Sequence, residues 1–311
     1  MLLIVWGLAD NDALLSVPLL VGVFLSTLSS VISSFVVAIL NVQNHYVLPG
    51  LLWGLRIIPL LVFWKLSPNV IYLPWLMAGI GLSDILRARC LYSKVKLDGV
   101  LSVDWREVFR GYAAVAIGSI VVGMNPIVDR LIAGLGQPGD LSILELGERI
   151  FGIVGSLSTI GIMSVLLVEF SDRVKLGDLS RYFQKILVVF LGWSCLWLLF
   201  IYSFWYLLEG RIFAFLKLTD LQYQLVTLIF FNYLGGLPAF IVGLVCVRGF
   251  LSIGKAEVIA VLAVVSLGVN ALLSYVLNSL LGVSGIALAT SIVTTVITIT
   301  MIILLSNSRY V

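Results

Sequence analysis

The chain has 311 residues, of which 61% are hydrophobic and only 11% charged, with a formal net charge of +3 and a mean hydropathy of +1.15. A soluble fold carries about a quarter charged residues on its surface, so soluble classes are excluded, and so small a net charge offers nothing to a nucleic acid. The apolar runs are continuous rather than alternating, which excludes a transmembrane β-barrel and leaves an all-α, polytopic membrane bundle.

Residues 1–8 are apolar but lack the positive flank of a signal peptide. They fall well short of the roughly 20 residues a span requires and read as the last turns of a helix that starts earlier. Nine spans follow, at 13–40, 47–64, 70–86, 111–135, 142–168, 186–208, 221–247, 258–281 and 285–306. If the segment after the third span is cytoplasmic, thirteen Lys and Arg lie on that side and three on the other. The positive-inside rule then puts the N-terminus outside and the C-terminus in the cytoplasm. The short loops after the first and seventh spans lie six spans apart, which fits two lobes about a pseudo-twofold axis.

Several spans carry polar or helix-breaking residues. Arg56 sits at the middle of the second, where a guanidinium costs about 2.5–3.5 kcal/mol on insertion scales; it needs a carboxylate or a wet cavity. The fourth span is expected to be interrupted at Met124-Asn-Pro126 and the seventh at Gly235-Gly236-Leu-Pro238, because proline removes a helical hydrogen bond. Ala114/Gly118 and Ser119/Gly123 are spaced for close helix approach. Asp129 and Arg130 lie late in the fourth span and point about 100° apart, so they should not pair with each other. Arg149 opens the fifth span four residues after Glu145, which makes an i,i+4 pair available; its other reading is a lumenal fork for phosphate. Asn270 and Ser274 are one turn apart on the eighth span. Thr290, Ser291, Thr294, Thr295 and Thr298 line the ninth, either as cation ligands or bonded to their own helix carbonyls. Cys90, Cys195 and Cys246 are scattered and His45 is the only histidine, so a zinc site of the usual ligand types is not expected.

The run Asn125-Pro-Ile-Val-Asp-Arg-Leu-Ile-Ala133 with Glu148-Arg-Ile resembles the seventh and eighth helices of MurJ/MviN-type lipid II flippases. These belong to the multidrug/oligosaccharidyl-lipid/polysaccharide exporter superfamily. Arg248-Gly-Phe-Leu-Ser-Ile-Gly-Lys255, Val269-Asn-Ala-Leu-Leu-Ser274, Gly285-Ile-Ala-Leu-Ala-Thr-Ser291 and Asn44-His-Tyr-Val-Leu-Pro49 resemble later and earlier segments of the same family, in order. The resemblance implies a partial two-lobe exporter fold, with residues 1–110 a remnant of the N-terminal lobe and 111–311 a six-helix C-terminal lobe. The first three helices would then be absent, to be supplied by a second chain if the protein is active.

The resemblance further implies a flippase of the bacterial cytoplasmic membrane, not an enzyme, that moves a polyprenyl-diphosphate-linked sugar among membrane lipids by alternating access. Arg149 would match a cavity arginine and contact the diphosphate, with Arg56 as an added cation where the family has Asn. Asp129, Asn270, Thr290 and the Ile286 carbonyl would match a sodium site, with proton coupling as the alternative. Ser274 stands where some members have Asp, so the site would hold one carboxylate instead of two. An O-antigen-type flippase, a drug/cation antiporter, a lipid-linked transferase and an inactive fragment are the competing readings. For the transferase, Asp98, Asp104 and Glu107 form no recognisable motif.

Overall fold

The computed structural model describes residues 13–42, 52–66, 73–93, 105–159, 162–216 and 218–307. Residues 1–8, the 44–49 segment with His45, and Asp98 and Asp104 lie outside these. The described elements are α1 (Ala13–Val42), a 3-10 turn (Leu52–Arg56), α2 (Ile57–Leu66), α3 (Leu73–Tyr92), α4 (Trp105–Gly134), α5 (Asp140–Thr159), α6 (Ile162–Leu176), α7 (Leu179–Leu216), α8 (Asp220–Gly235), α9 (Leu237–Ser252), α10 (Ala256–Leu281) and α11 (Val283–Ser306). No strand occurs among the described residues. Lipid offers the backbone no hydrogen-bond partner, so a spanning chain must satisfy its own amides, and the helix does so within one segment.

Among the described residues four helices are long and apolar enough to cross a bilayer: Ala113–Gly134, Leu179–Trp205, Ala256–Leu281 and Val283–Ser306. The pair α8 and α9, bent by 41°, makes a fifth. Their outward faces are apolar, as at Val188, Leu196, Leu199 and Phe200 on α7 and Leu272 and Leu280 on α10. Such surface is a liability in water and the natural boundary with acyl chains.

Two expectations about helix continuity need correction, those for the fourth and the second span. The fourth span is not interrupted: Pro126 lies inside the unbroken helix α4. The ring removes one backbone bond there, and neighbouring turns hold the helix together. The fifth span contains α5 and α6, and residues 160–161 between them lie outside the described residues. The second span, from Leu52 onward, begins as a 3-10 turn that leads into the ten-residue α2. The break at Gly236 in the seventh span is present, with Pro238 in the first turn of α9, where its missing N–H costs nothing.

The chain divides into two compact units, 1–101 and 102–311. Residues 105–110 begin helix α4 and so belong to the second. In the first unit α1 packs on α3 through small residues: a Cβ on Gly22 would lie 3.1 Å from the Pro74 carbonyl, and one on Gly81 3.3 Å from Ser26 Cα. Helices in lipid gain nothing from hiding apolar surface, so close backbone approach takes over as the packing force. In the second unit Ala114 and Gly118 of α4 are buried, the glycine set against Ala260 of α10. Ser119 and Gly123, the other small pair, face outward and Gly123 meets nothing. A second packing centre is aromatic, with Phe170, Phe230 and Phe250 fully buried and Trp205 stacked on Phe230 at 4.5 Å.

Helix α8 starts on a capping box, in which the Thr219 hydroxyl accepts from Gln222 N–H and the Gln222 side chain accepts from Thr219 N–H. Between α10 and α11 the chain reverses at Gly282, whose φ of 66° is a left-handed conformation suited to glycine. The reversal folds Gly285 so tightly onto α10 that a Cβ there would run into the Leu277 carbonyl. Gly285→Ala is therefore expected to destabilise the protein by about 1–3 kcal/mol, the usual cost of overpacking. Gly123→Ala, which meets open space, should leave it unchanged. Thermal unfolding of the two variants in detergent checks this, and equal melting temperatures would refute the close approach.

Candidate functional site

Asp129 is buried on α4 with its carboxylate turned toward α10 and α11. Its Oδ1 accepts from Asn270 Nδ2 at 2.9 Å and from Ser274 Oγ at 3.1 Å; its Oδ2 accepts from Thr290 Oγ1 at 3.1 Å. Asn270 and Ser274 share a face of α10 because residues four apart stack along a helix. Thr290 Oγ1 also lies 3.2 Å from the Ile286 carbonyl. With one proton it serves one of those two acceptors at a time. The four side chains therefore tie α4, α10 and α11 together around one carboxylate.

One atom of this cluster is left over. Asn270 Oδ1 is buried and accepts no hydrogen bond, a state that costs about 1–3 kcal/mol. A carboxylate, two hydroxyl oxygens and an amide oxygen without a partner are the types of donor a hard cation takes. One carboxylate among neutral oxygens suits a monovalent ion, so the residues fit sodium.

Arg130, the next residue on α4, points about 100° away and reaches α5. Its Nε lies 3.3 Å from Glu145 Oε1 and its Nη2 donates to Glu148 Oε2 at 3.4 Å. The second oxygen of Glu145 accepts from Arg149 Nη2, also at 3.4 Å. The i,i+4 pair that the spacing offers is thus formed, yet the Arg149 side chain remains 72% exposed.

Arg56 belongs to the first unit. Its Nε and Nη2 donate to the two oxygens of Asp84 at 2.7 and 2.6 Å, and Nη2 also donates to Ser30 Oγ at 2.8 Å. Asp84 is fully buried, and buried Arg87 lies within Coulombic reach of both. A carboxylate, one of the two surroundings Arg56 needed, is what it has found. Asp84 stands in the apolar third span, and a charge in that position is itself the signal that could have named it.

The hydroxyls of α11 divide. Thr294 and Thr295 bond to their own helix carbonyls, Thr290 and Ser291. Ser291 Oγ instead donates to the Asn232 carbonyl at 2.6 Å, and Thr298 Oγ1 to the Ala239 carbonyl at 2.9 Å. They cap backbone on either side of the α8/α9 break, where Gly236 lets Ser291 approach. Asn232 Nδ2 closes the arrangement by donating to the Ser284 carbonyl at 3.0 Å. A cavity of about 460 Å³ beside the break is lined by Asn232, Gly235, Ser291 and Thr295 with apolar neighbours.

The family model described as lipid II flippase MurJ matches residues 1–310. No curated protein matches the chain in sequence. Among solved structures, a lipid II flippase MurJ in an inward closed conformation superposes with a TM-score of 0.64 at 18% identity, over 93% of this chain and 61% of that one. A MATE protein in complex with MaL6 gives 0.68 at 14% identity, over 85% and 62%. A transporter of the MOP superfamily from Pyrococcus furiosus gives 0.65 at 12% identity, over 95% and 77%. At such identities the likeness is one of fold, and the chain spans about six-tenths of the length of the first of these structures.

The Arg56–Asp84 geometry yields a stability prediction. Arg56→Ala leaves a buried carboxylate without its bidentate partner and should cost about 3–5 kcal/mol. Arg56→Ala/Asp84→Ala should cost less than Arg56→Ala alone, because the stranded charge is gone. Detergent melting curves of the two variants decide it; a double variant no more stable than the single would show that the pair does not compensate the charge.

Proposed function

The chain belongs to the MurJ lipid II flippase family, and we propose that it carries a polyprenyl-diphosphate-linked sugar across the bacterial cytoplasmic membrane by alternating access. The observation that supports this reading most is the buried Asp129 cluster with its unfilled Asn270 oxygen, one residue away from charged pairs that end on the exposed Arg149.

Flipping makes and breaks no covalent bond. It requires a polar route for a headgroup that hydrocarbon excludes, because burying an unpaired charge is very costly. Arg149 supplies the compensating charge, as a planar fork that can meet two phosphate oxygens at once. Its contact with Glu145 does not block this role. An exposed ion pair is worth about 0–1 kcal/mol, so a diphosphate can take the guanidinium at small cost. Arg56 is committed to Asp84 through two short bonds, and we assign it to holding the first unit's helices together.

Asp129, Asn270, Ser274 and Thr290, with the Ile286 carbonyl, would hold a sodium ion. Bound there, the ion supplies a charge that favours whichever conformation binds it better. A proton on Asp129 is the alternative coupling species. With the N-terminus outside, an inside-negative potential favours outward movement of the anionic headgroup by about 2.3 kcal/mol per charge per 100 mV.

The test is translocation of a fluorescent lipid II-type substrate by the full chain in proteoliposomes, with and without sodium at constant ionic strength. Arg149→Ala removes charged hydrogen bonds worth about 1.5–3 kcal/mol and should slow translocation on the order of tenfold or more. Asp129→Asn should abolish the sodium dependence. Unchanged transport by the first variant would remove Arg149 from the substrate path, and an unchanged sodium response in the second would clear Asp129 of ligation.

A further inference from the structure

We propose that Arg130 is a positioning residue that couples the Asp129 site to Arg149, so that a cation at one and a diphosphate at the other favour each other's binding. The inference rests on the function proposed above and concerns how its two ends communicate.

The connection is continuous and short. Asp129 and Arg130 are consecutive on α4, with Cα atoms about 3.8 Å apart. The carboxylate binds α10 and α11, and the guanidinium binds α5. Glu145 divides its two oxygens between Arg130 and Arg149. Any displacement of α4 that follows filling of the Asp129 site therefore carries Arg130 with it. That changes how much of Glu145 is left to restrain Arg149.

The contact lengths show which part can move. The bonds around Asp129 are 2.9–3.1 Å, within the ordinary range. The three ion pairs beyond Arg130 are 3.3–3.4 Å, longer than the roughly 2.7–2.9 Å of well-made charge-assisted bonds. The Arg130–Glu145 contact is an ion pair without hydrogen-bond alignment, since Nε finds no partner in bonding geometry. A fixed cluster is thus joined to pairs that exchange readily.

Charge sets the sign of the coupling. Asp129, Glu145 and Glu148 against Arg130 and Arg149 leave one negative charge when all are ionised. A monovalent cation cancels it. A diphosphate that takes Arg149 from Glu145 meets less repulsion once the cation is present, and leaves Glu145 and Glu148 to Arg130. Without Arg130, both glutamates confront the incoming anion and hold Arg149 back. By linkage, whatever sodium does for diphosphate affinity, diphosphate does for sodium affinity.

The experiment is a titration of undecaprenyl diphosphate into the full chain in nanodiscs, read by tryptophan fluorescence, in sodium chloride and in choline chloride of equal ionic strength. For the wild type, sodium should lower the diphosphate Kd by about fivefold or more, the lower range of ordinary allosteric coupling. In Arg130→Ala both ligands should still bind, more weakly, with a sodium-to-choline ratio near one. Arg130→Lys, which keeps the charge without the fork, should restore part of that ratio. A purely structural role would weaken both titrations alike and leave the ratio as in the wild type, and that result overturns the inference while the proposed function stands. Should Arg130→Ala fail to fold, Glu145→Gln cuts the same connection from α5 and should also bring the ratio toward one; an undiminished ratio there overturns the inference equally. A wild type that binds diphosphate with no sodium effect overturns the coupling alone. A wild type that binds neither ligand overturns the proposed function and the coupling together.

Discussion

A charge placed among acyl chains must find its compensation inside the protein, because lipid supplies neither counter-ion nor hydrogen bond. This one requirement explains most of the side-chain architecture. Asp84 is sealed from all solvent and meets the Arg56 guanidinium through two short bonds. Asp129 collects an amide and two hydroxyls from helices more than a hundred residues away in sequence. Even the broken helix obeys the rule: the Asn232 carbonyl, in the last turn before the break, accepts from the Ser291 hydroxyl of α11.

The two buried carboxylates are compensated in opposite ways, and the difference bears on function. Asp84 has a full opposite charge in bidentate contact, so adding or removing an ion there would break a strong pair. Asp129 has only neutral donors. Its negative charge is solvated but not cancelled, and an oxygen of its closest partner is left without a bond. A site of the first kind holds helices together. A site of the second kind keeps its charge uncancelled, which is why the cation of the proposed function is assigned to it. The structure places the fixed pair in the first unit and the Asp129 cluster in the second.

Much of this was legible in the residues. Continuous apolar runs located the helices, and a central Arg56 announced that a partner had to exist. The juxtaposition of Asp129 with Asn270, Ser274 and Thr290 was reached through family resemblance, since nothing in spacing alone brings positions so far apart together. What escaped was of two sorts. Helix continuity was misjudged at Pro126, because one lost hydrogen bond bends or weakens a long helix without ending it. The pairing of Arg130 with Glu145 and Glu148 was missed because the direction of a side chain from a helix depends on which neighbours pack there. Asp84 was overlooked although it carries the same signal as Arg56, a formal charge in an apolar segment.

On the proposed function, a half-satisfied site follows from the energetics of switching. To exchange two conformations with a modest driving force, their free energies must lie within a few kcal/mol of each other. A carboxylate fully paired with arginine would fix one arrangement of α4, α10 and α11, and an apolar replacement would remove the ion's influence altogether. Each of the three neutral donors around Asp129 makes a hydrogen bond to a charged group, worth about 1.5–3 kcal/mol, against the roughly 1–3 kcal/mol that the unfilled Asn270 acceptor costs. Ser274 bears on the proposed site in the same way: a second carboxylate at its position would raise the affinity for cations and deepen one state at the expense of the other. In the proposed cycle a serine hydroxyl would leave the site weaker, and a site that must fill must also empty.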